Sequence, residues 1–175
     1  MRSRSLMILC AALSAFGCME DEPEVETNFE LLRFQGRWFE IARVPRNHDA
    51  DCNDTLADYR LTSSERIELT HTCFAGSPTG TKREFRAVAS VDDPSVPAKL
   101  SLQIGLYAGA YWVLDVGDAY DYAVIGHPSR TMLWILARKP ALDAETWDKA
   151  LAVAQKQGFA TGLLQGTPQS GAETE

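Results

Sequence analysis

Apolar residues recur at every second position in short runs from Phe34 to Arg138, and at about every 3.6 residues after Pro140, so the chain reads as strands followed by one helix. Thr55, Ala57, Tyr59 and Leu61 alternate with Leu56, Asp58 and Arg60, and Ile67, Leu69, His71 and Cys73 with Glu68, Thr70 and Thr72. Thr62 to Glu65 turns between them, which predicts a hairpin. Phe85, Ala87, Ala89 and Val91 form the next run, closed by Asp92 to Pro97, and Leu100, Leu102 and Ile104 the one after. Tyr111–Val116, Asp121–Gly126 and Thr131–Arg138 are apolar almost throughout, separated by Gly117-Asp118 and His127-Pro128-Ser129. With the opening stretch Phe34–Pro45 there are eight strands at hairpin spacing, the pattern of an antiparallel up-and-down β-barrel or a sandwich.

In the opening strand, Gly36 precedes Trp38 by two residues, so the backbone can bend while the indole turns inward. Pro45–Asp54 has no hydrophobic period and reads as a long loop, a candidate lid. Asp49, Asp51 and Asp54 lie in it without the glycine and closing glutamate of a calcium loop, so they read as solvated. After Pro140, Asp143 caps a helix over Ala144–Gln157 that ends at Gly158. Trp147, Ala150, Leu151 and Ala154 share one face, which predicts packing on the outside of the sheet with Trp147 as anchor. Thr161–Gln165 reads as a short final strand, and 166–175 as a polar tail.

The residues before Phe34 follow neither period. Arg2 and Arg4 lead into Leu6–Leu13 and then small residues, an export signal over residues 1–17. Ala15-Phe16-Gly17-Cys18 resembles a bacterial lipoprotein box, although Phe16 and Ala15 depart from its usual residues; the alternative is plain secretion after cleavage near Gly17. The box makes Cys18 the lipidated first residue, followed over 18–33 by an acidic spacer that should stay extended. Met19, where retained inner-membrane lipoproteins usually carry Asp, points to the outer membrane, facing the periplasm. Cys52 and Cys73 then remain as the two ordinary thiols, which in an exported chain suggests one disulfide. Its loop closure would stabilise by about 3 kcal/mol. Neither cysteine has histidine or cysteine at metal-ligand spacing, so no metal is expected. With 17 Lys and Arg against 24 Asp and Glu, and no basic stripe, nucleic acid is not an expected partner.

Gly36-Arg37-Trp38 in the first strand, Tyr120-Asp121-Tyr122-Ala123-Val124-Ile125-Gly126 around the seventh and Leu133-Trp134-Ile135-Leu136-Ala137-Arg138 in the eighth, ahead of one helix, resemble the lipocalin family. Tyr111-Trp112-Val113-Leu114-Asp115 and Ala98-Lys99-Leu100 are most similar to the bacterial outer-membrane lipoprotein members and the apolipoprotein D-like ones. The resemblance covers 34–165 and implies an all-β fold, an eight-stranded antiparallel up-and-down barrel with one C-terminal α-helix outside and a short final strand. It further implies that Gly36, Trp38 and Arg138 close one end, with the guanidinium across the indole. His71 stands where relatives often have a small polar amide.

A barrel of eight strands can hold one small ligand. Alternation offers Ala57, Tyr59, Leu69, His71, Phe85, Ala87, Ala89, Leu100, Leu102, Ile104, Tyr111 and Val113 as its lining, an apolar cup with a few polar groups. The expected occupant is a fatty acid, a lysophospholipid or a similar lipid, held for storage or transport at the cell envelope. No cofactor is expected, and a homodimer is left open. The alternatives are a carrier of another apolar molecule, such as a haem or pigment, or a lipid-modifying or isomerase-type enzyme on the same barrel. There is no Gly-x-Ser-x-Gly elbow or phosphate loop, and His48, His71 and His127 are scattered. Glu40 and Asp115 are the one acid/base pair to consider, and more simply read as satisfied or solvated carboxylates.

Overall fold

The computed structural model describes residues 21–171. Cys18 and the export signal lie outside the described residues. Eight antiparallel strands, β1 (Gly36–Arg43), β2 (Cys52–Ser63), β3 (Arg66–Ala75), β4 (Thr81–Val91), β5 (Lys99–Ile104), β6 (Tyr107–Val116), β7 (Tyr122–Gly126) and β8 (Leu133–Ala137), follow each other around a barrel. Pairing of β1 with both β8 and β2 closes it. Strands β2 to β4 extend beyond the runs read from alternation, so the loop ahead of β2 is shorter than expected and Cys52 already pairs with Ala75. Among the described residues, no helix is long and apolar enough to cross a membrane.

Two apolar cores flank the sheet. Inside the barrel, Trp38, Ile67, Ala89, Leu100, Val113 and Ile125 pack together. Outside it, Trp112, Leu114, Val124, Leu133 and Ile135 are covered by helix α2 (Ala144–Lys156). Burial on both faces is why β6 to β8 are almost continuously apolar in sequence. The residues of α2 that bury completely are Ala150 and Ala154, while Trp147 stays half-buried; small side chains let the helix approach the sheet closely. Asp143 caps the helix by accepting from the Thr146 N–H at 2.9 Å. Gly158, at φ 79°, ends it, with its own N–H on the Gln155 carbonyl and that of Phe159 on Ala154, a left-handed termination that favours glycine.

One end of the barrel is sealed. Gly36 has φ 97°, and a side chain there would crowd Arg138 Nη1. The turn aims Trp38 into the core, where its indole N–H donates to the Phe34 carbonyl at 2.8 Å. Arg138 lies over that indole, 3.8 Å from its centroid. Its guanidinium donates to the carbonyls of Tyr120, Arg37, Arg33 and Gln35. The spacer does not simply extend away. Phe29 and Leu31 are buried, the latter in a single helical turn, α1 (Leu31–Phe34). The Glu26 N–H donates to Val113, and Tyr120 Oη accepts from the Glu30 N–H at 2.6 Å. Apolar residues at 25, 29 and 31 have the sealed end to bury against, which an acidic composition concealed.

The C-terminal segment differs likewise. Residues 161–163 form a 3-10 turn rather than a strand, and β9 is reduced to Gln165–Gly166, paired with Ala42 and Arg43. The polar residues beyond are docked at their start. Thr167 is buried, Gln169 donates to the Glu40 and Thr55 carbonyls, and Ser170 is tied to Asp54.

Candidate functional site

The other end opens into a cavity of about 240 Å³. Of the twelve residues expected to line a cup, Ala57, Tyr59, Leu69, His71, Phe85, Leu102, Ile104 and Tyr111 surround it. Ala87, Ala89, Leu100 and Val113 also point inward but lie in the packed core toward the sealed end, because Phe34, Trp38 and the segment ahead of them fill that half. The two alanines therefore accommodate neighbours rather than leave room. Trp134, Leu136, Tyr107, Gly109, Ala110 and Met132 complete the apolar wall. Trp134 and Leu136 went unrecognised because β8 is apolar on both faces, so alternation could not say which one looks inward; Tyr107, Gly109 and Ala110 did so because β6 begins ahead of the run read from Tyr111.

Polar groups gather on one side of this cavity. Tyr59 Oη and Tyr111 Oη are 2.6 Å apart and buried, and burial pushes both phenols well above their usual range, so they stay neutral. Beside them is Glu40. Its inward direction was readable, two residues after inward Trp38, yet a carboxylate was not expected in the lining. The Cys52–Cys73 disulfide forms part of the wall toward the mouth.

Glu40 is buried and charged. Burial works to raise its carboxyl; the His71 imidazole, the Arg43 guanidinium and the Thr167 hydroxyl outweigh it and hold the group below the usual glutamate range. Arg43 Nη1 donates to Oε1 at 2.6 Å, and Thr167 Oγ1 to the same oxygen at 2.8 Å. A bulge in β1 makes this possible. Glu40 pairs with Leu136 but Ala42 with Ile135, so Ile41 is an extra residue, the side-chain order reverses, and Arg43 reaches back to Glu40 while Ala42 faces α2. The Ile41 carbonyl accepts from the Thr167 N–H at 2.9 Å, which fixes the docked C-terminal segment against the bulge. His71 stacks on Phe85 with centroids 4.5 Å apart, and its Nε2 stands 3.7 Å from Glu40 Oε2.

The expected lid is a short loop held by charge. Arg43 donates to the Asp49 carbonyl, and the Asp49 carboxylate takes Arg46 through its backbone N–H at 2.8 Å and its guanidinium at 3.1 Å. Arg83 of β4 binds Asp51 at 2.7 and 3.1 Å. Asp49 is thus committed to arginines, and among the described residues no group of three acidic, cysteine or histidine side chains is placed to hold a metal. Asp115 does not line the cavity; it accepts from Tyr122 Oη at 2.6 Å. The structure therefore does not bring it together with Glu40 as an acid/base pair.

The family model described as "Lipocalin-like domain" matches residues 29–169. The chain belongs to the lipocalin family. It is 32% identical over 156 residues to temperature-induced lipocalin-1 of Arabidopsis thaliana, covering 85% of this chain and 84% of the relative. It is 29% identical over 177 residues to the outer membrane lipoprotein Blc of Citrobacter freundii, covering 97% and 99%. Among solved structures, insecticyanin from Manduca sexta superimposes with a TM-score of 0.66 at 21% identity, over 86% of this chain and 85% of that one, a likeness of fold. Membership of this family implies a small hydrophobic ligand, and the lipocalin's cavity is the place where the fold can take it.

Proposed function

We propose that this lipocalin carries a single-chain lipid, a fatty acid or lysophospholipid, at the cell envelope. The observation that supports it most is the cavity itself: apolar walls, one open mouth and about 240 Å³, below the roughly 300–1,000 Å³ of typical ligand pockets. Such a volume suits one slender chain, with a bulkier head left at the mouth, and is cramped for a broad ring system. Arg46, His48 and Arg83 stand around that mouth with Asp49 and Glu84, a polar collar for a head group. Phe85, Tyr107 and the fully exposed Leu106 extend the apolar surface outward beside it, so a chain leaving a lipid surface would stay in apolar contact. Cys18 would supply the anchor, and the likeness over nearly the full length to an outer membrane lipoprotein supports that placement. Organic extraction of the purified mature protein followed by mass spectrometry tests the ligand: a bound or exchangeable single-chain lipid is expected, and none over a range of chain lengths would refute the reading. For the anchor, Cys18→Ser should release the protein from the membrane fraction; unchanged fractionation would refute lipidation.

A further inference from the structure

Glu40 meets the cavity with only one of its two carboxylate oxygens committed. Oε1 receives both Arg43 Nη1 and Thr167 Oγ1. Among the described residues no donor reaches Oε2 within hydrogen-bonding distance, and His71 Nε2 stands 3.7 Å from it. That separation is too long for a direct bond. It is short enough for one oxygen atom, at about 2.8 Å from each, to bridge the two. The imidazole cannot close the gap freely, because its ring lies flat on Phe85 and Phe85 lines the same cavity.

We propose that Glu40 Oε2 and His71 Nε2 form a recognition subsite for an alcohol hydroxyl on the bound lipid. The hydroxyl donates to Oε2 and accepts from the imidazole N–H. The chemistry follows from what the carboxylate lacks. An ionised Glu40 only accepts, so it selects a donor. Arg43 already balances its charge, so a neutral hydroxyl completes the site without bringing in a further desolvated ion. A free carboxylate at this place would face like charge and offer no proton. The inference rests on the single-chain lipid reading and narrows it: chains carrying a hydroxyl bind inside, and a free acid group is kept at the mouth.

The test uses the delipidated mature protein and two isomers, 1-dodecanol and 1-methoxyundecane, competing with the fluorescent apolar probe N-phenyl-1-naphthylamine. The alcohol should bind about tenfold more tightly, as a hydrogen bond to a charged acceptor predicts. Equal affinities, or a preference for the ether, would overturn the subsite while leaving lipid carriage intact. Failure of the probe and both isomers to bind would overturn carriage and subsite together. In Glu40→Gln, checked for folding by near-ultraviolet circular dichroism, the preference should shrink to within about twofold. His71→Phe, which keeps the ring on Phe85, should also reduce it and serves if Glu40→Gln does not fold. A full preference in a folded Glu40→Gln protein would place the hydroxyl elsewhere and refute the assignment.

Discussion

The two ends of the barrel each carry an arginine held among buried groups, and they use it differently. At the sealed end, Arg138 covers the Trp38 indole and donates to carbonyls from the segment ahead of β1, the start of β1 and the turn before β7. Its donors are spent on backbone, so that end has a structural task. At the open end, Arg43 binds Glu40, Thr167 and the Asp49 carbonyl, yet leaves Glu40 Oε2 facing the cavity beside His71. A satisfied network closes a barrel, whereas a network with one acceptor to spare can recognise something. The difference predicts that stability and selectivity are separable in this barrel.

Trp38→Ala should have the largest effect. It removes a fully buried indole and should cost about 3–5 kcal/mol in urea unfolding, while whatever fraction folds keeps its ranking of ligands. A stable variant with altered ligand preference would show that the sealed end takes part in recognition. Next is the pair Cys52→Ala and Cys73→Ala, which unfastens the open end where β2 meets β3. The expected loss is about 3 kcal/mol, with faster probe release because these residues border the mouth. Unchanged release would mean that the charged loop alone holds the mouth.

Glu40 gives a pH dependence whose sign is determined. Its carboxyl lies lower in the folded chain than in the unfolded one, so it contributes stability that is whole above the ordinary glutamate range and is lost as pH falls through its folded value. Exposed Asp51, Glu84, Asp93 and Asp143 are also lowered, so the total acid loss is not Glu40's own. The difference between wild type and Glu40→Gln in urea unfolding isolates it: the gap between the two should narrow toward low pH. A gap independent of pH would show that the fold leaves the Glu40 carboxyl at its unfolded value, and one that widens toward low pH that the fold raises it. The smallest effect should come from Asp143→Ala, which removes the α2 cap on the outside of the barrel. About 1 kcal/mol is expected in thermal unfolding, with ligand affinity untouched; a change in affinity would mean that α2 reports to the cavity.

The sequence showed much of this where a local rule had one solution. Alternation placed Ala57, Tyr59, Leu69 and His71 on the inward face because β2 and β3 have one apolar side. It could not place Trp134 and Leu136 in the cavity wall, since β8 is apolar on both faces. Depth was equally hidden: Ala87 and Phe85 share a face, but only the filling of the sealed end by Phe34 and Trp38 decides that Phe85 borders the cavity and Ala87 does not. Polar composition also misled, for buried Phe29 and Leu31 sit behind an acidic stretch and buried Thr167 opens a polar tail.

By itself, then, the sequence determined the strand count, the helix with its Asp143 cap and Gly158 stop, and the inward turn of Trp38 after Gly36, because periodicity, capping and a glycine turn act over a few residues; Arg138 across the indole was implied only by the family resemblance. Only the tertiary structure decided which oxygen of Glu40 is committed. That depends on one extra residue at Ile41, which turns Arg43 back onto Glu40, and on Thr167 arriving from 127 positions along the chain. A bulge and a long-range strap leave no local periodic signal, since their free energy lies in contacts that exist only after the barrel has closed.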